Sequence, residues 1–113
     1  YICPQNMILE GSLNLNLALS NEKTTFNPNI NLLFNSALPY AHSNNFLAVL
    51  LTGMGDDGAK AMFELYKMGV KCVCENEKDC VVYGMPKKAQ ELNPHLRALS
   101  LAEIKTEIIK FIE

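Results

Sequence analysis

Residues 46–58 read F-L-A-V-L-L-T-G-M-G-D-D-G. From Phe46 to Thr52 the chain is an almost unbroken apolar run of strand length, bounded by Asn45 and Gly53. That is the pattern of a parallel strand covered on both faces, and it predicts the central strand of the core. Beyond the loop Gly53 to Gly58, residues Ala59, Met62, Phe63 and Tyr66 share one helical face, and Gly69 supplies the stop. Val70 to Cys74 is then a second short strand. Strand, helix and strand in this order form a βαβ unit, whose right-handed crossover makes the two strands parallel. Open α/β sheets bind ligands beyond the carboxyl ends of their strands, so the loop at 50–58 is the first candidate for a site.

Upstream, Leu13, Leu15, Leu17 and Leu19 alternate with Asn14 and Asn16 after the turn signal Glu10-Gly11-Ser12, and Met7 to Leu19 is predicted to be a half-buried β-hairpin. Asn27 is placed as a helix cap before Pro28, and Ile30, Leu33, Phe34, Ala37, Leu38 and Ala41 follow at helical spacing. Asn31 and Asn35 are expected to face water or a partner. Downstream, a second apolar run at Cys80 to Tyr83 ends at Gly84-Met85-Pro86, where Pro86 opens a helix through Glu91. Ser100 and Glu103 form a capping box for a last helix, whose stripe of Leu101, Ile104, Ile108, Phe111 and Ile112 is predicted to be core unless missing upstream strands leave it exposed.

Of the 113 residues, 49% are hydrophobic and 19% charged, which fits one small globular domain or a large piece of one and excludes disorder. A net charge of -2 without a basic stripe excludes a nucleic-acid partner. The longest apolar run falls far short of the roughly 20 residues that cross a bilayer, and no cationic leader precedes an apolar core, so a soluble protein is expected. Tyr1 to Cys3 reads as the body of a strand running into Pro4, which makes the chain a piece of something longer. Cys3, Cys72, Cys74 and Cys80 include no C-x-x-C pair. His42 and His95 are isolated surface residues, so no metal is expected and the cysteines are taken as reduced thiols of a cytosolic protein.

Two chemistries compete for the loop. Gly53, Gly55 and Gly58 match G-x-G-x-x-G, and Glu77 follows at about the 20-residue spacing of a ribose-binding acid, which suggests a dinucleotide site. Against this, Asp56 and Asp57 occupy the helix start where a pyrophosphate would sit. At about 4 Å and an effective dielectric near 20, each like-charge pair costs on the order of 4 kcal/mol before screening. The other chemistry makes the aspartates the point of the loop. A carboxylate held by backbone N–H groups at a helix N-terminus can orient a histidine for acyl transfer by a serine. Plain helix capping is the bland alternative for both aspartates, gap-filling for Met54, and solvated strand-end charge for Glu75 and Glu77.

L-L-T-G-M-G-D-D-G-A-K-A-M at 50–62, followed by C-V-V-Y-G-M-P-K-K-A at 80–89, resembles the catalytic domain of the CheB family, the chemotaxis protein-glutamate methylesterases. P-N-I-N-L-L-F-N-S-A at 28–37 and Y-I-C-P at 1–4 are similar to weaker family segments in the same order. The resemblance covers nearly the whole chain. It implies a partial doubly wound parallel sheet, three-layer α/β/α, with a β-hairpin, and makes residues 1–113 the C-terminal portion of a methylesterase catalytic domain. It also implies a Ser-His-Asp triad in which Asp57 is the acid, with Met54 and Gly55 beside the site and Gly84, Met85 and Pro86 in a nearby loop. The serine and histidine belong upstream of Tyr1, so the isolated chain is expected to be inactive. No cofactor is implied.

The parent would be a cytoplasmic hydrolase of glutamyl methyl esters on chemotaxis receptors, deamidating glutamines as well, and a receiver domain commonly regulates such enzymes. Asn31 and Asn35 depart from the family's aspartate and basic residue, so the resemblance does not carry over an ion pair or receptor contact at these positions. Without its upstream strands the chain is expected to self-associate. A non-catalytic interaction module would instead show an intact sheet and no cleft at Gly53 to Gly58.

Overall fold

The computed structural model describes residues 5–11, 14–24 and 28–113. The strand expected at Tyr1–Cys3, Leu13 of the hairpin and the cap assigned to Asn27 lie outside them. Strands β1 (Met7–Glu10) and β2 (Asn16–Leu19) pair antiparallel, as the alternation predicts. The leucine face is less buried than expected: Leu17 and Leu19 are 48% and 60% exposed. Leu17 instead borders an open apolar groove with Leu9, Leu33, Phe34, Phe46 and Leu47.

Helix α1 (Ile30–Ala37) continues into a 3-10 turn at Leu38–Tyr40, where Pro39 ends the regular ladder. Asn29 is its N-cap, accepting from the Leu32 amide at 2.9 Å. Pro28 therefore precedes the helix rather than opening it. The hairpin docks here through the Leu9 amide, which donates to Ser36 Oγ at 2.8 Å.

Strand β3 (Leu47–Leu50), helix α2 (Ala59–Lys67) and strand β4 (Lys71–Glu75) form the expected parallel βαβ unit, with Leu50 opposite Cys74. Gly69 stops α2 at φ +89°. Helix α3 (Met85–Leu92) has Pro86 in its first turn. Strand β5 (Arg97–Leu99) then pairs parallel with β4, and helix α4 (Leu101–Ile112) starts at the Ser100–Glu103 capping box. The three-residue strand β5 is too short for any periodicity to announce.

Among the described residues the sheet order is β3-β4-β5, so β4 is the central strand and β3 stands at the edge. The apolar run at Phe46–Thr52 reports that both faces are covered, not that both edges are. Ala48, Leu50, Cys72 and Cys74 pack with Met62, Leu65 and Ala89 on one side, while Leu47, Val49 and Val73 meet Leu99 and Ile104 on the other. Helices thus cover both faces in three layers. Side chains as buried as Leu50, Met62 and Leu65 contribute about 1.5–3 kcal/mol each by leaving water.

The stripe of α4 is core only at Ile104; Ile108, Phe111 and Ile112 remain exposed. The other buried position on this helix is Glu107, whose carboxylate pairs with Lys71 at 2.9 Å and Arg97 at 3.0 Å. These two cations hold its carboxyl at about 2, well below the usual range. Among the described residues no helix is long and apolar enough to cross a membrane.

Candidate functional site

Asp57 leaves its own helix and caps another. Its Oδ2 accepts from the Ile30 amide at 2.6 Å and its Oδ1 from the Asn31 amide at 3.0 Å. The remaining free amides at the start of α1 are also taken up, Asn29 N–H by Asn6 Oδ1 at 2.6 Å and Leu32 N–H by Asn29. The acidic residue is therefore held at a helix N-terminus, as the sequence suggests, but the helix is α1 and not the α2 that follows it. The physical reason is Gly58. At φ +85° it turns the chain so closely that an added Cβ would meet Ile30 and Leu50, which brings the end of β3 against α1. Both oxygens of Asp57 keep a second lone pair, so an imidazole N–H can still be accepted.

Asn31 reciprocates. Its Oδ1 accepts from the Ala61 amide at 3.1 Å, tying α1 to the first turn of α2. This hydrogen bond leaves Asn31 half-buried at the cleft, whereas Asn35 is exposed, as expected. Asp56 is exposed beside Asn31 at the rim of an open cleft of about 520 Å³, whose wall includes Ala59, Lys60, Phe63 and Lys88.

The second apolar run is the partner of the glycine loop, bridged to it between Gly53 and Tyr83. Thr52 Oγ1 accepts from the Val82 amide at 2.8 Å and donates to the Val82 carbonyl at 3.1 Å. The Gly53 amide donates to the same carbonyl at 3.0 Å, and the Gly53 carbonyl accepts from Gly84 at 3.1 Å and Met85 at 2.9 Å. A Cβ on Gly84 would run into the Gly53 carbonyl and the Gly55 backbone, so the two loops need glycine to approach this closely. Gly53 and Gly58 of the G-x-G-x-x-G pattern are thus used for close contacts inside the chain.

The other residues singled out in sequence divide in two. Met54, 83% exposed, and Gly55 stand at the open tip of the loop, which excludes Met54 as a core filler. Gly84 and Met85 lie beneath it, Met85 packed against the core, and Pro86 is fully buried. The residue that sequence missed is Glu75, 2% exposed rather than solvated, whose Oε1 accepts from the Thr52 amide at 2.7 Å. Nothing in C-V-C-E-N-E separates it from the exposed Glu77. His42 and His95 are on the surface as expected.

Cys72, Cys74 and Cys80 are free thiols. Burial pushes Cys72 up to about 12 and Cys74 up to about 11, so neither is a nucleophile near neutral pH. Burial, then the neighbouring Glu75, raises Cys80 as well.

The model of the family described as CheB methylesterase matches residues 1–108. A protein-glutamate methylesterase/protein-glutamine glutaminase 1 of Photobacterium profundum is 44% identical over 82 residues, which cover 73% of this chain and 23% of that protein. A protein-glutamate methylesterase/protein-glutamine glutaminase 2 of Carboxydothermus hydrogenoformans is 35% identical over 112 residues, 95% of this chain and 32% of the relative. The crystal structure of the Thermotoga maritima CheB methylesterase catalytic domain superposes with a TM-score of 0.77 at 27% identity, covering 95% of this chain and 58% of that one. The chain therefore spans from under a quarter to about a third of these curated relatives.

Proposed function

The chain belongs to the CheB methylesterase family, and from that premise we propose that it supplies the acid-bearing, C-terminal portion of a protein-glutamate methylesterase/glutaminase site, with Asp57 as the triad acid. The observation that carries this reading is the clamp on Asp57: two α1 amides fix its carboxylate where β3 gives way to α2, at the carboxyl end of the sheet. A carboxylate so fixed orients an imidazole by accepting its Nδ1–H and stabilises the imidazolium that forms.

The serine and histidine come from sequence outside this chain. The serine hydroxyl adds to the glutamyl ester carbonyl while the histidine takes its proton. That proton then goes to the departing methoxide, and methanol leaves an acyl-serine. Water, activated by the same histidine, releases the glutamate. A glutamine side chain follows the same course with ammonia as leaving group. The substrates are the cytoplasmic helices of chemotaxis receptors, and the enzyme is cytoplasmic. Met54 and Gly55 at the loop tip lie on the substrate side, and Gly84, Met85 and Pro86 support the loop from beneath.

The test is methanol release from methylated receptor by this chain joined to the upstream part of its catalytic domain. The joined protein is expected to turn over and the isolated chain is not, since an orienting acid has nothing to orient without a base and a nucleophile. Asp57→Asn should lower kcat by about 10²- to 10⁴-fold with little change in KM. Turnover by the isolated chain, or full activity of the Asp57→Asn enzyme, overturns the assignment. A joined protein that binds receptor without hydrolysing it would leave a non-catalytic interaction module.

A further inference from the structure

Glu75 is a buried carboxylate for which the triad chemistry has no use. It ends β4, the central strand, and is 2% exposed. Isolated carboxylates are rarely buried this deeply, and those that are have a partner. Here the partner is the Thr52 amide, donating to Oε1 at 2.7 Å from the point where β3 becomes the glycine loop. Thr52 in turn exchanges two hydrogen bonds with Val82 through its hydroxyl, and Gly53 carries the contact on to Gly84 and Met85. A second tie holds the far end of the same segment. Tyr83 Oη donates to Gln90 Oε1 at 3.1 Å, and Gln90 Nε2 donates to Cys74 Sγ at 3.4 Å.

We propose that Glu75 is a positioning residue: its carboxylate anchors Thr52 to the central strand, and through Thr52 fixes both loops that frame Asp57. This rests on the esterase reading above only for its consequence in catalysis; the anchoring itself is a statement about the folded chain. Without the acceptor, the Thr52 amide is left unpaired and the Thr52–Val82 exchange loses its fixed end. The glycine loop then shifts, and with it the carboxylate that must meet an imidazole within a fraction of an ångström.

The test has two arms. In amide hydrogen exchange on this chain, Glu75→Ala should speed exchange at Thr52 on the order of tenfold, while Ile104 in α4 stays as it was. Glu75→Gln keeps an acceptor oxygen and should restore protection. Thr52→Val, which removes only the hydroxyl, should deprotect Val82 and leave the Thr52 amide slow, and it serves if the alanine variant does not fold. In the joined enzyme, Glu75→Ala should reduce kcat at least about tenfold with KM nearly unchanged, and Glu75→Gln should recover it.

Unchanged Thr52 exchange in Glu75→Ala overturns the inference, and so does lost protection accompanied by normal kcat. If protection falls and returns as expected but the unsubstituted joined protein hydrolyses no ester, the anchor stands and the esterase reading fails.

Discussion

Asp57 serves folding and, on the reading above, chemistry with the same two oxygens. It satisfies two of the amides that every helix leaves unpaired at its start, and α1 has no acidic residue of its own in its first turn. Asp57→Ala should therefore cost about 1–2 kcal/mol of stability, as a lost helix cap does. In urea unfolding this appears as a lower midpoint with an unchanged slope. Asp57→Asn retains one acceptor and should lose less, although its effect on turnover is as large as argued above. A parallel fall of stability and activity across the two variants would make Asp57 a cap and nothing more. That Asp57 is held at a helix start was legible in G-M-G-D-D-G, because that position follows an apolar strand. Which helix it caps was not, because Ile30 and Asn31 lie far from it in the chain and meet it only through the turn at Gly58.

The elements themselves were largely announced by local pattern: alternation for the hairpin, the 3.6 period for α1 and α2, and the capping box for α4. What holds α4 to the sheet was not, since Glu107 sits on what reads as a solvated face. Its carboxyl is held at about 2 against an ordinary 4.5, through hydrogen bonds and charge from Lys71 and Arg97. With the folded value below the unfolded one, the stabilisation is fully present above about pH 4.5 and is lost as pH falls toward 2. Thermal unfolding should thus occur at progressively lower temperature across that window. Glu107→Gln should flatten this part of the profile while lowering stability at pH 7. Both cations are about half exposed, so added salt should reduce the difference.

At the scale of the molecule, β3 pairs on one side only, among the described residues, and its open edge adjoins the apolar groove at Leu9, Leu17, Phe34, Phe46 and Leu47. An unpaired strand edge beside exposed apolar surface is a template for association. The chain should therefore give a mass in light scattering that rises with concentration, and a monodisperse monomer at every concentration would contradict this. By itself the sequence determined the βαβ unit, the hairpin, the helix boundaries at Gly69 and Ser100 and the loop that carries Asp57, because each depends on residues adjacent or one turn apart. The edge position of β3, the burial of Glu75 and Glu107 and the capping of α1 by Asp57 were decided only in the tertiary structure. Each joins groups distant in the chain, and local periodicity says which face of an element is covered, not what covers it.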